Sequence, residues 1–317
     1  MKKFNFSLLW DCNEDCLFCA KSHVPPGVKS RFSSEEALKT IFKKRKEGFD
    51  SISFDGGEPT LMKDLPKFIA FAIKCGYKEV GVLTNAVLLS DLKILNTIKT
   101  YDSGDRKKVS FSVSLHSHKE AISDYLTASK NTFSKTLKGI DNILKCGFTV
   151  SIYHVITSQN YKDLPNFAKF ILKKFPGVDN ITFSYIYPVS HKFSTLKNIY
   201  PKLLPVRPYL KKAVELLEKT DTDVRLSSCG IIPPCLMKGI EHLLKRTHQE
   251  DNIESITCDT STMDKFPFFS EIFNKENKIK SPKCATCAVN DFCGGIWKFY
   301  AGIYGLEELK PYKKSPF

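Results

Sequence analysis

Three cysteines lie close together near the start of the chain, in the run Cys12-Asn13-Glu14-Asp15-Cys16-Leu17-Phe18-Cys19. The spacing C-x3-C-x2-C lets three thiolates on one loop converge on one iron–sulfur cluster, for which thiolates are the usual ligands. A four-iron cubane held by three cysteines leaves one iron open to an outside ligand. Zinc is the competing reading: a structural zinc site wants four nitrogen or sulfur ligands, and His23 stands near enough in sequence to be the fourth. A second set, Cys284-Ala285-Thr286-Cys287-Ala288-Val289-Asn290-Asp291-Phe292-Cys293, is followed by Gly294-Gly295-Ile296-Trp297. Its C-x2-C step is a two-ligand bite for iron–sulfur or zinc, and a fourth ligand must come from elsewhere. Cys235, stiffened by the preceding Pro233-Pro234, is the first choice, with Cys229 and Cys258 as rivals. Cys75 and Cys146 each precede a glycine at a helix end and read as small buried apolar side chains.

These loops need elements to position them. Segments rich in Val, Ile, Phe, Tyr and Thr predict strands near 4–10, 51–55, 79–84, 108–116, 148–157 and 180–187. Amphipathic stretches near 34–48, 64–75, 91–99, 133–146 and 163–174 predict helices between them. Ser33-Ser34-Glu35-Glu36 reads as a capping start, and Cys75-Gly76 and Cys146-Gly147 as glycine-closed ends. Alternating strands and helices imply parallel strands with right-handed crossovers. Six such units fit a partial (β/α)6 barrel or an open doubly wound sheet, and both place chemistry at the C-terminal ends of the strands. Pro201, Pro205 and Pro208 mark a linker. A helix near 209–219 and a short strand near 223–227 follow, then a loop-rich tail. Residues 1–200 are expected to form the barrel and residues 201–317 a small, cysteine-rich extension.

Length and composition narrow the class. With 317 residues, 42% hydrophobic and 26% charged, the chain suits a globular protein with a sizeable core. No apolar run is long enough for a membrane helix, and the broken apolar stretch after Phe4 is too short for a signal peptide, so the reading is cytoplasmic. Eleven cysteines, an odd and clustered set, argue for metal or redox use over disulfides. The net charge of +14 is spread along the chain; its densest knot, Lys43-Lys44-Arg45-Lys46, reads as a solvated helix face. No nucleic-acid-binding motif accompanies it.

Taken together, the motifs resemble those of the radical S-adenosylmethionine (SAM) superfamily. C-x3-C-x-Φ-C, with Phe18 as the aromatic, resembles its cysteine signature. Asp55-Gly56-Gly57-Glu58-Pro59 after the second strand resembles its Gly-Gly-Glu-Pro motif, and Thr84-Asn85-Ala86 its Thr-Asn-Gly, with Ala86 in the glycine position. Ser112 to Ser117 and Val155 to Asn160 end the next two strands. The resemblance covers residues 4–190 and implies a TIM-like α/β barrel. It also implies that Cys12, Cys16 and Cys19 hold a [4Fe–4S] cluster whose open iron is chelated by the methionine end of SAM. Gly56, Gly57 and Glu58 would then lie beside the methionine ammonium and Phe18 near the adenine. Ser114, Asn85 and Asn160 would be in reach of the ribose. A donor such as flavodoxin or ferredoxin would reduce the cluster, and the resulting 5′-deoxyadenosyl radical would take hydrogen from a substrate. His116 and His154 could face the lumen, and read as satisfied core or wall residues rather than catalytic ones. With the barrel, the C-terminal cysteines resemble the SPASM and twitch extensions. Trp297 stands where a further SPASM cysteine would be, so one auxiliary [4Fe–4S] cluster on Cys235, Cys284, Cys287 and Cys293 fits better than two. The resemblance to maturases favours a peptide or protein substrate, although no recognition domain precedes Cys12. A nucleotide or sugar-like small molecule is the alternative, and a zinc-stabilised binding module on a β/α scaffold is the alternative from another class.

Overall fold

A computed structural model describes residues 1–21, 24–102, 108–188, 193–227, 232–244, 255–260 and 276–317. Eight parallel strands form one sheet: β1 (Lys3–Leu9), β2 (Ser51–Gly56), β3 (Glu79–Thr84), β4 (Val109–Ser114), β5 (Thr149–Ile156), β6 (Asn180–Tyr185), β7 (Asp223–Leu226) and β8 (Ser255–Cys258). Their order is β7-β6-β5-β4-β3-β2-β1-β8. The first six strands sit side by side in chain order, as repeated right-handed crossovers require. The expected partial barrel is therefore present, with one more parallel strand at each edge.

Alternation along each strand sorts two faces. Phe4, Phe6, Val80, Val82, Phe111, Val150, Ile152, Ile181 and Phe183 are buried against the helices. The opposite face carries small polar residues, among them Ser53, Gly81, Ser110, Ser112, Ser114, Ser151 and Thr182, all half-buried. Closed (β/α)8 barrels fill this space with bulky branched side chains. Here it is lined with hydroxyls and a glycine, so the lumen has room for a ligand.

Helices α1 (Ser34–Lys46), α2 (Leu65–Lys74), α3 (Lys93–Tyr101), α4 (Glu120–Thr127), α5 (Phe133–Lys145), α6 (Leu164–Lys174), α7 (Phe193–Ile199) and α8 (Leu203–Leu217) belong to the barrel side. The capping box at Ser33 and Glu36 forms, and α2 and α5 end at Cys75 and Cys146 before left-handed Gly76 and Gly147. In the basic knot, Lys43 and Lys46 are exposed while buried Lys44 pairs with Glu47 at 2.8 Å.

The region beyond residue 200 departs from expectation in three ways. The stretch read as a linker is the start of α8, which packs on α6. Pro205 falls in its first turn, where backbone N–H groups have no intrahelical partner anyway, and only Pro208 gives up a helical bond. Strand β7 pairs with β6, and β8, absent from the expectation, pairs with β1. The sheet thus continues past residue 200. Strand β8 is tied in by Asn5 Nδ2 donating to Ser255 Oγ (2.9 Å) and Trp10 Nε1 donating to Thr260 Oγ1 (2.8 Å). The rest of the extension holds the two-residue strands β9 (Lys278–Ile279) and β10 (Ile296–Trp297), antiparallel, and α9 (Lys298–Tyr304). It is fastened to α8. Tyr300 Oη accepts from the Leu203 amide (3.1 Å) and donates to Glu308, which also accepts from the Leu204 amide (3.3 Å). Among the described residues no helix is long and apolar enough to cross a membrane.

Candidate active site

The cysteine loop leaves the C-terminal end of β1 and is pinned on three sides. The Gly57 and Glu58 amides donate to the carbonyls of Leu9 (2.7 Å) and Asp11 (2.9 Å). The Asp15 and Leu17 amides donate to the carbonyls of Thr127 (3.0 Å) and Leu126 (2.9 Å), at the end of α4. Asn85 Nδ2 donates to Asn13 Oδ1 (2.7 Å). The fit against Gly57 is close: a Cβ there would run into the Asp11 carbonyl and come within 2.6 Å of the Trp10 carbonyl oxygen.

The three thiols lie near enough for their charges to couple. Burial pushes Cys16 well above the usual thiol range, and the charges of Glu14, Cys19 and Cys12 push the same way. Cys12, which opens to solvent on one side, is pushed up to about 12 by desolvation and then by Glu58, Glu14 and Cys19. Such a site resists free thiolates and suits a cation that would neutralise them. Among the described residues no three His, Cys, Asp or Glu side chains close on a single metal ion. A cubane asks something different, since each thiolate takes its own iron. His23 lies outside the described residues.

Glu58 is buried, at 1% exposure. Oε1 accepts from Thr60 N (3.0 Å), Thr60 Oγ1 (2.6 Å) and Thr84 Oγ1 (2.6 Å), and Oε2 accepts from the Asn85 amide (2.7 Å). Three of the four donors crowd onto Oε1, beyond its two lone pairs, and one reaches Oε2, which keeps acceptor capacity. Glu58 therefore ties the β2 and β3 ends together. Burial raises the Glu58 pKa against the pull of these donors.

Asn85 braces the loop through Asn13, while its own Oδ1 accepts from Val87 N (3.1 Å). Ala86 adopts φ +59°, the left-handed conformation a glycine would take there. It is accommodated because Gly139 of α5 faces it, where a Cβ would approach the Ala86 Cβ to 2.9 Å. Asn160 is committed to backbone: Nδ2 donates to the carbonyls of His116 (2.9 Å) and Val155 (2.8 Å), and Oδ1 accepts from Thr157 N (2.7 Å). It locks the β4 and β5 ends together. Ser114 is half-buried on the lumen face at the end of β4.

Phe18 meets His116 edge-on at 4.7 Å between centroids. His116 Nδ1 accepts from the Val155 amide (3.1 Å), and His154 Nδ1 faces the Leu115 carbonyl (3.0 Å). Burial pushes both histidines down to about 3, so both are neutral; His154 shares the helix face of β5 with Ile152 and packs on Phe167 at 4.2 Å between centroids, a core position rather than a lumen one.

Two features escaped the sequence reading. Glu14, half-buried beside Cys16, is raised to about 7 by burial and then by the Glu58 charge. Lys21 donates to Ser7 Oγ, lies 3.7 Å from Asp55 and packs over Trp10. The phase of β2 carried a signal for Asp55: it lies two residues from Ser53, opposite Phe54.

In the extension, Cys235, Cys284, Cys287 and Cys293 line one small cavity with Lys280, Asn290, Leu309 and Tyr312. Burial raises Cys235 and Cys293, and the other thiols of the group push the same way. Amides point at the sulfurs: Tyr312 N donates to Cys287 Sγ (3.3 Å) and Gly295 N to Cys293 Sγ (3.4 Å). N–H···S bonds of this kind tune iron–sulfur clusters. Cys258 is elsewhere, on β8 opposite Phe6, and Cys229 lies outside the described residues.

A family model described as the radical SAM superfamily matches residues 11–171. Among curated relatives, a probable GTP 3′,8-cyclase of Sulfurisphaera tokodaii is 31% identical over 65% of this chain and 63% of its own length. An S-adenosylmethionine-dependent nucleotide dehydratase of Lacinutrix mariniflava is 34% identical over 54% of this chain and 36% of its own. The match to the first of these spans less than two thirds of that protein. Among solved structures, SuiB of Streptococcus suis bound to S-adenosylmethionine superposes with a TM-score of 0.67 at 14% identity, over 99% of this chain and 76% of that one. The protein anSMEcpe with bound AdoMet gives 0.59 at 15%, over 99% and 93%. At such identities these two report the fold alone. The family's [4Fe–4S] and SAM chemistry fits the thiols and glycines just described, and half of the chain is matched by the family model: the chain belongs to the radical SAM superfamily.

Proposed function

We propose that the chain is a radical SAM enzyme acting on a nucleotide in the barrel lumen, with an auxiliary [4Fe–4S] cluster on Cys235, Cys284, Cys287 and Cys293. Family membership replaces the zinc-stabilised scaffold with an enzyme. The observation that carries the substrate class is the lumen wall. Hydroxyls and a glycine from β2 to β6 suit a small polar molecule entering whole, more than one side chain of a peptide. Relatives at 31% and 34% identity named for GTP and nucleotide chemistry support the same class. The peptide expectation drew on the resemblance of the C-terminal cysteines to SPASM and twitch extensions, and the nucleotide reading is preferred to it.

Cys12, Cys16 and Cys19 would hold the first cluster, and the Gly56-Gly57 backbone the methionine end of SAM. When bound, the two supply one-electron, hydrogen-abstracting chemistry. Asn85 and Glu58 set the loop's position. Ser114 offers a hydroxyl to the ribose. Neutral His116 at the end of β4, with neutral His154 behind the sheet in the Phe167 and Phe183 core, neither gives nor takes a proton. The auxiliary cluster, with four cysteine ligands, would serve electron transfer or structure. A one-electron donor of the flavodoxin or ferredoxin kind, in a reducing compartment such as the cytoplasm, completes the reading.

The test is anaerobic iron and sulfide counting, with 5′-deoxyadenosine assayed under dithionite while each common ribonucleoside triphosphate is added in turn. About eight irons per chain should fall to about four in the Cys12/Cys16/Cys19→Ala triple variant and in Cys235→Ala, and stay at about eight in Cys258→Ala. At least one triphosphate should raise 5′-deoxyadenosine formation. Four irons in the wild type would remove the auxiliary cluster. Stimulation by peptides and by no nucleotide would remove the substrate class.

A further inference from the structure

Strand register puts four side chains on one level of the lumen. Ser114 of β4 is opposite Tyr153 of β5, Tyr153 opposite Thr182 of β6, and Thr182 opposite Arg225 of β7. All four are half-buried on the face turned away from the helices. Neighbouring strands lie about 4.8 Å apart, so Arg225 stands about 14 Å along the wall from Ser114. Ser114 marks the expected place of the SAM ribose. The other three therefore face the space beside it, where a substrate must lie to give up a hydrogen.

The far end of this row is built for a charge. Arg225 Nε donates to Asp223 Oδ2 of the same strand at 2.8 Å, which restrains the guanidinium, while the side chain keeps 42% exposure. A fork fixed in this way has lost much of its rotamer freedom before a ligand arrives, so less entropy is spent on binding. Tyr153 Oη donates to Ser227 Oγ (2.6 Å), which ties the middle of the row to the end of β7. The span from Ser114 to Arg225 is of the order of a nucleoside carrying its phosphates.

We propose that Arg225 holds the phosphate oxygens of the substrate, with Tyr153 and Thr182 lining the path between phosphate and reacting sugar. The proposal rests on the nucleotide reading above and adds a residue and an orientation to it. Arg–phosphate pairs are charge-assisted and often bidentate. Losing one corresponds to a fall in affinity of about 10- to 100-fold.

The experiment measures binding to the iron-loaded protein with SAM by equilibrium dialysis. The probes are the four common ribonucleoside triphosphates and their nucleosides, against wild type, Arg225→Gln and Arg225→Lys. Iron content and SAM affinity control for folding. The wild type should bind one triphosphate more tightly than its nucleoside. Arg225→Gln should lose about 10- to 100-fold for the triphosphate and nothing for the nucleoside, and Arg225→Lys should keep part of the preference. Equal triphosphate affinity in wild type and Arg225→Gln would overturn the role of Arg225 and leave the nucleotide reading intact. Equal losses for triphosphate and nucleoside would make Arg225 structural and overturn the proposal. Binding of no triphosphate by the wild type would overturn both.

Discussion

Replacing Glu58 by Gln removes one charge and no volume from the centre of the site. The carboxylate accepts four hydrogen bonds, three at Oε1 and one, from the Asn85 amide, at Oε2. A carboxamide has one oxygen. Placed at Oε1, it keeps the threonine donors but turns an NH2 group toward the Asn85 N–H. The threonine hydroxyls can rotate away from a mismatch; a backbone amide cannot. The least costly arrangement thus leaves one buried amide unpaired and gives up a charge-assisted bond, about 2–3 kcal/mol. With a urea slope near 3 kcal/mol per molar, the unfolding midpoint of cluster-free protein should fall by about 0.7–1 M. Fluorescence of Trp10 and Trp297 reads the transition. Because Asn85 also holds Asn13 at 2.7 Å, SAM affinity of the loaded protein should fall as well. A midpoint within about 0.2 M of wild type, with unchanged SAM affinity, would refute the claim that the Glu58 carboxylate holds this corner together.

Gly57→Ala should displace the cysteine loop, because the added methyl meets the Asp11 and Trp10 carbonyls; iron should fall by about one cluster while the Cys235 set keeps its own, and full iron retention would show the loop to be compliant. His116 and His154 titrate near 3 when folded and near 6.5 when unfolded, so the unfolded chain binds more protons in between and stability falls as pH drops below 6.5. At pH 5 each costs about 2 kcal/mol relative to neutral pH, and His154→Phe should remove about half of this acid sensitivity in urea melts at pH 7 and 5; an unchanged pH difference would count against the assignment.

The two cysteine sets differ in how far they could be read from the chain. Cys12, Cys16 and Cys19 are near neighbours, and their spacing alone brings three thiols onto one loop. Cys235 is far from Cys284 in sequence, and Cys229 and Cys258 carried the same chemistry. The structure sets Cys258 apart because β8 carries it to the edge of the sheet beside β1. The strand itself escaped notice because four residues, Ser255 to Cys258, are too few for alternation to register. Helices α4 and α7 were missed for a similar reason, being only eight and seven residues long. In α8 proline was read as a break, although its first turn tolerates it.

The succession of strands and helices along the chain, the face each side chain takes and the strand ends that carry chemistry are local properties. Periodicity, caps and motif spacing encode them, and the amino-acid sequence by itself determined them. Which polar groups are already spent is a property of assembled neighbours. Asn85, Asn160 and Glu58 look alike in a motif as possible ligand contacts. Only the tertiary structure shows the bonds they already make, to Asn13, to the His116 and Val155 carbonyls and to Thr60, Thr84 and Asn85. The same holds for Arg225. Nothing in Asp223-Val224-Arg225-Leu226 reveals its level in the lumen, because that depends on register between strands far apart in the chain, and register is decided by packing across the whole sheet.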